Sequence, residues 1–155
     1  MRNINIVAIH CTATRPNQIA GVDVVRAWHL AKGWSDIGYH FLIRRDGCVE
    51  VGRPIKRAGA HVYGHNKESV GVSWEGGLSE AGDPADNRTD KQKHALECLL
   101  RDLVCEYPTI KEIKGHRDFS PDLDGDGVIE RFEWLKACPC FDAIPEYKHL
   151  LTEDN

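Results

Sequence analysis

The chain has 155 residues, a mass of 17.4 kDa and a formal net charge of −4, which fits one domain and disfavours nucleic acid as the main partner. A domain of this size buries roughly 70% of the surface its unfolded chain exposes, so neither a disulfide framework nor a metal is needed merely to fold. Hydrophobic residues at 41% and charged residues at 28% exclude wholesale disorder, and no stretch approaches the ~20 apolar residues of a membrane helix.

The first residues, MRNINIVAIHCTATRP, hold a short apolar run broken by Asn3, Asn5 and His10 and do not read as a secretory signal. Residues 4–12 are β-branched and apolar, the pattern of a buried strand ending at His10, Cys11 and Thr12. Residues 23–33 have helical spacing, with Asp23 as the expected N-cap and Gly33 as the stop. Residues 39–53 read as a hairpin turning at Asp46-Gly47, and a Gly- and His-rich loop follows at 58–66. Residues 69–77 read as a second, central strand. The strongest helix is 90–106, with a Thr89/Gln92 capping box and a stripe of Ala95, Leu96, Leu99, Leu100, Leu103 and Val104. Cys98 and Cys105 fall within it and read as small apolar residues of its buried face. A short strand is expected at 109–116. A loop at 117–130 then leads to a helical stretch with Phe132, Trp134 and Leu135, and the tail reads as a short helix interrupted near Pro145. Strands interleaved with helices, one hairpin included, predict an α/β fold: a single domain over 1–155 with a central mixed β-sheet flanked by α-helices.

Six cysteines without a secretory signal argue against a disulfide framework. Of eight histidines, His10 and His116 stand at strand ends and His61 in the Gly-rich loop. There is no C-x-x-C or H-E-x-x-H spacing, and Cys138-Pro139-Cys140 is too tight for a zinc knuckle. Any metal site must therefore collect ligands from far apart in the chain, as catalytic sites do. By position alone Tyr39 reads as a strand aromatic and Lys136 as a solvated charge. Trp28, Trp34, Trp74 and Trp134 read mainly as core, with a groove wall as the alternative.

Several blocks together carry a family resemblance. They are HCTAT (10–14), VRAWHLAKGWSDIGYHFLIRRDGCVEVGR (25–53), GAHVYGHNKESVGV (59–72), GHRDFSP (115–121) and KACPCFD (136–142). From about residue 4 to 145 the chain resembles the zinc-dependent N-acetylmuramoyl-L-alanine amidases of the bacteriophage lysozyme type, which share their fold with peptidoglycan recognition proteins. The resemblance implies that His10, His116 and Cys138 bind Zn²⁺, and that Tyr39 and Lys136 assist catalysis. It implies that His61 and Asn66 line the substrate groove. Cys138 is preferred to Cys140 because it occupies the Cys of the Cys-Pro-x-Phe-Asp segment. Two imidazoles and a thiolate suit a borderline-soft ion, and three protein ligands leave a fourth position open. The implied reaction is hydrolysis of the amide between N-acetylmuramic acid and L-alanine in peptidoglycan or muropeptides. The expected protein is a monomer, made in the cytoplasm and acting on the wall after phage-type release or delivery, with no nucleic-acid or membrane partner. The alternative on the same fold is a module that binds peptidoglycan without cutting it; the presence of Cys138 favours the enzyme.

A second motif stands apart. Residues 122–133, DLDGDGVIERFE, place Asp122, Asp124, Asp126, Gly127 and Glu133 in the pattern of an EF-hand Ca²⁺ loop. Only an exiting helix is foreseen, and an Asp/Gly-rich turn is the alternative. The loop also lengthens the path between His116 and Cys138 relative to compact family members. Bound Ca²⁺ would brace both residues.

Overall fold

The computed structural model describes residues 1–151. Five strands, β1 (Ile6–Cys11), β2 (Phe41–Ile43), β3 (Val49–Val51), β4 (Ser69–Trp74) and β5 (Glu112–Gly115), form one sheet in the order β3-β2-β4-β1-β5. The β2–β3 hairpin is antiparallel, and the other pairings of the sheet are parallel. Helices α1 (Val22–Ala31), α2 (Asp90–Glu106) and α3 (Ala143–Tyr147) complete the single α/β domain with its mixed sheet. No helix among the described residues is long and apolar enough to cross a membrane.

The two-residue period of the central strands separates two chemistries. Val7, Ile9 and Cys11 of β1 and Val70, Val72 and Trp74 of β4 pack with Leu96, Leu100 and Leu103 of α2. Burying each such leucine contributes about 1.5–3 kcal/mol. The opposite face of the same strands holds Ala8, His10, Ser69, Gly71 and Ser73, all buried. A second apolar group joins Val22 and Val25 of α1 to Ile37 and Leu42. Polar groups are thus held inside the molecule. His10 stands at the C-terminal end of a parallel strand, where open α/β sheets place their ligands.

The turn at Asp46-Gly47 forms as expected, with Gly47 at φ +86°. The Thr89/Gln92 capping box of α2 is present with both of its hydrogen bonds. Other expectations need correction. The N-cap of α1 is Gly21, and Asp23 sits in the first turn, where its charge suits the helix's positive end. Cys105 is exposed and Cys98 only half-buried. The buried residues of α2 are Gln92, Leu96, Leu100 and Leu103, and Cys98 lies about 200° round the helix from Leu96. The stretch at 131–135 makes only one 3₁₀ turn, Arg131–Glu133, leaving Phe132 and Leu135 exposed. Pro145 does not interrupt the tail helix. It sits in the first turn of α3, where an N–H would have had no intrahelical partner.

Candidate active site

Three distant segments meet beside the sheet. His10 lies near the end of β1, His116 follows Gly115 at the end of β5, and Cys138 follows the Arg131–Glu133 turn. One ligand atom from each falls within 4.8 Å of the others. The His10 and His116 rings are 4.7 Å apart between centroids. Cys138 Sγ accepts the Cys11 backbone N–H at 3.2 Å, which ties the Cys138 segment to the end of β1. The Trp74 indole N–H donates to the Pro139 carbonyl, anchoring the Cys138 segment to β4. The donor set, two imidazoles and one sulfur, fits Zn²⁺.

Burial sets the protonation states. His10 is held well below the usual histidine range, first by burial and then by His61, His116 and Lys136. Burial, with Lys136 second, pushes His116 down to about 4, and burial pushes His61 down to about 3. All three are neutral imidazoles at pH 7, the form a metal requires. The Cys11 thiol is pushed up, first by its contact with Cys138.

The cluster borders an open cavity of about 700 Å³. Tyr39, Lys136, His61 and Asn66 all line this cavity, together with Trp28, His29, Trp34 and Tyr63. The Tyr39 ring lies 5.0 Å from that of His10, and burial raises its hydroxyl, so Tyr39 offers an O–H donor. Ser73 Oγ lies beside that hydroxyl without closing a hydrogen bond to it. Lys136 is exposed on an irregular segment, close enough for its charge to act on both His10 and His116.

His61 and Asn66 do more than line the groove. Both His61 ring nitrogens are engaged by protein, Nδ1 with His10 Nε2 at 2.9 Å and Nε2 with Ser69 Oγ at 3.2 Å. Asn66 Oδ1 accepts the backbone N–H groups of His61 and Val62, which fixes the loop. Of the tryptophans, Trp74 is core, while Trp28 and Trp34 line the groove. Trp134 lies under the Arg117 guanidinium, 3.8 Å from it. His29 escaped the sequence reading. Its Nδ1 accepts the Gly38 N–H at 2.8 Å, and its ring packs on Trp34 and Tyr39. A single polar residue after Trp28 in a helical run carries no mark of burial.

The acidic loop is built differently. The Asp122, Asp124 and Asp126 carboxylates lie within 4.8 Å of one another and are exposed. Asp122 accepts the Gly125 and Gly127 amides, and Asp126 accepts that of Val128. Glu133 is turned inward, only 2% exposed, and its carboxylate accepts the backbone N–H groups of Leu123, Asp124 and Glu130. No entering or exiting α-helix flanks the loop, so the EF-hand frame is absent among the described residues.

An α/β fold with this cluster beside the sheet suits a metal-assisted hydrolase, and the comparisons give its class as a cell-wall amidase. The model of the family described as N-acetylmuramoyl-L-alanine amidase matches residues 1–139, and the chain belongs to that family. The endolysin of Enterobacteria phage K11 is 43% identical over 134 residues, spanning 86% of this chain and 79% of the phage protein. Among solved structures, the endolysin N-acetylmuramoyl-L-alanine amidase LysCS from Clostridium intestinale superposes with a TM-score of 0.71 at 28% identity, over 96% of this chain and 82% of the other. Bumblebee PGRP-SA superposes with a TM-score of 0.70 at 26% identity, over 96% of this chain and 85% of the other. The chain is an N-acetylmuramoyl-L-alanine amidase, an enzyme of peptidoglycan amide hydrolysis.

Proposed function

We propose that the enzyme is zinc-dependent, with His10, His116 and Cys138 as the ligands, and that it cuts the bond between N-acetylmuramic acid and L-alanine at this cluster. The observation that carries the reading is the convergence of those three donors, from remote parts of the chain, at an open cavity. Zn²⁺ held there supplies Lewis acidity and water activation near neutral pH. The protein's own groups do the rest. Trp28, Trp34 and Tyr63 offer flat apolar surface to a stem peptide lying in the groove. The Tyr39 hydroxyl, kept protonated by burial, donates to or orients the attacking water. The Lys136 ammonium faces the same cavity and stabilises negative charge developing on the scissile carbonyl oxygen. Muropeptides and intact peptidoglycan are the expected substrates, the cell wall the site of action, and a monomer the working form.

Mass spectrometry of products from purified peptidoglycan tests this. Stem peptides beginning with L-alanine should appear, vanish on chelation and return with Zn²⁺. Zinc binding with intact muropeptides would instead make the chain a recognition module.

For residues 122–133 the proposal is narrower. Ca²⁺ would draw on Asp122, Asp124 and Asp126, and Glu133 could join only by releasing its three amides. Calcium should then raise the melting temperature of the wild type and not of Asp126→Ala. Equal shifts in both would end the assignment.

A further inference from the structure

The hydrogen bonds behind His10 run in one direction. Ser69 Oγ lies 2.6 Å from the His65 carbonyl oxygen and 3.2 Å from His61 Nε2. A carbonyl oxygen only accepts, so the single hydroxyl proton goes to His65. Ser69 therefore meets His61 as an acceptor, and the proton between them sits on His61 Nε2. The His61 ring is buried beside two other imidazoles and stays neutral, which leaves a lone pair at its Nδ1. The 2.9 Å contact between that atom and His10 Nε2 then places a proton on His10 Nε2. The remaining lone pair of His10 is at Nδ1.

The backbone is cut back to seat this arrangement. A Cβ at Gly71 would stand 2.7 Å from the His61 ring, and one at Gly59 would stand 2.6 Å from it. Gly71 shares its face of β4 with Ser69, so the strand that supplies the acceptor also clears room for the ring.

We propose that Ser69 and His61 form a proton-ordered relay that positions the metal centre by fixing His10 as the Nε2–H tautomer, its Nδ1 free for the cluster with His116 and Cys138. The inference rests on the zinc assignment above, but the tautomer can be read without metal. His61 is here a positioning residue, acting through His10, and Ser69 acts through His61. Outer partners of this kind orient the ring and raise its basicity as a ligand, and their loss typically weakens metal affinity about 10–100-fold.

The experiment combines ¹⁵N imidazole NMR of the metal-free protein with zinc affinity measured by competition against a chromophoric chelator. The variants are Ser69→Ala, His61→Leu and His61→Asn, each first compared with wild type by thermal unfolding. Wild type should show an unprotonated Nδ1 on His10. Ser69→Ala should lose that pure tautomer and bind zinc about 10-fold less tightly. His61→Leu should lose more, while His61→Asn, whose Oδ1 replaces the Nδ1 acceptor, should stay close to wild type. An unchanged His10 tautomer and unchanged affinity in Ser69→Ala would overturn the relay. Equal losses in His61→Leu and His61→Asn would also overturn it, because packing alone would then explain both. A wild type with the expected tautomer and no zinc uptake would remove the metal reading and leave the relay standing.

Discussion

Two clusters of metal-type side chains stand on different foundations. His10, His116 and Cys138 come from two strand ends and a distant segment, and the molecule surrounds them with buried bonds: Cys11 N–H on Cys138, His61 behind His10, Trp74 on Pro139. Asp122, Asp124 and Asp126 come from one short stretch, stand exposed, and are answered by the amides of their own loop. The first needs the whole fold to exist, and burial keeps its imidazoles neutral. The second is a local motif that satisfies itself. A contiguous pattern is easy to see and weakly tied to the rest of the protein; a dispersed one is hard to see and depends on every element that carries it.

Removing one member of each cluster separates them most sharply. Cys138→Ala should abolish zinc uptake and lower kcat/KM by at least about 10⁴-fold, equivalent to about 5 kcal/mol of transition-state stabilisation. Asp124→Ala should leave both nearly unchanged. Zinc titration and product release from peptidoglycan read the two variants side by side. Similar losses in both would mean that the acidic loop sets the geometry of the catalytic cluster.

The next effect lies within the first cluster. Tyr39→Phe and Lys136→Ala should each lower kcat by about 10²–10³-fold while zinc affinity holds, since neither side chain belongs to the proposed ligand set. A variant that lost zinc along with activity would prove structural rather than catalytic.

Acid should attack the histidine side of the molecule first. His40 is buried, accepts the Gly71 N–H at Nδ1 and donates from Nε2 to the Arg57 carbonyl, and burial pushes it down to about 4. Its ordinary value is 6.5, so between these two pH values the unfolded chain binds the proton and the folded chain does not. The stability that His40 contributes is therefore complete above about pH 7, falls as pH drops to about 4 and is gone below, a loss of about 3 kcal/mol at the limit. His40→Asn retains an acceptor for Gly71 and should show a shallower slope in metal-free denaturant titrations. An identical slope would place the acid sensitivity elsewhere.

The legibility of each feature in the sequence follows from how it is built. The hairpin turn and the α2 cap are written in adjacent residues, and both formed as read. The central position of β4 followed from its apolar run. His10 and His116 stood out by their strand-end positions, but Cys138 and the grouping of all three came only through the family blocks, because no spacing rule joins residues so far apart. Ser69, Ser73 and His29 gave no signal: small polar residues in a β-branched run look alike whether they face water or a buried imidazole, and a helical histidine looks alike on either face. Cys98 and Cys105 misled because their seven-residue spacing is helical, while the face they share is not the one Leu96, Leu100 and Leu103 bury. Phe132 and Leu135 have helical spacing too, but both stay exposed, and without an apolar face to bury only one turn forms.

The smallest expected effect decides what Glu133 is for. A loop that closes around calcium would use its carboxylate as a ligand; the structure gives both oxygens to backbone amides instead. Glu133→Gln keeps the shape but replaces one acceptor oxygen with an NH₂ group facing an N–H donor. Leaving a buried amide unpaired costs about 1–3 kcal/mol locally. The loss of melting temperature should therefore be the same in calcium and in chelator, with zinc affinity and catalysis preserved. A loss confined to calcium-containing buffer would show that Glu133 leaves its amides when the cation arrives. The loop would then be a second metal centre, tied to the first through the chain between His116 and Cys138.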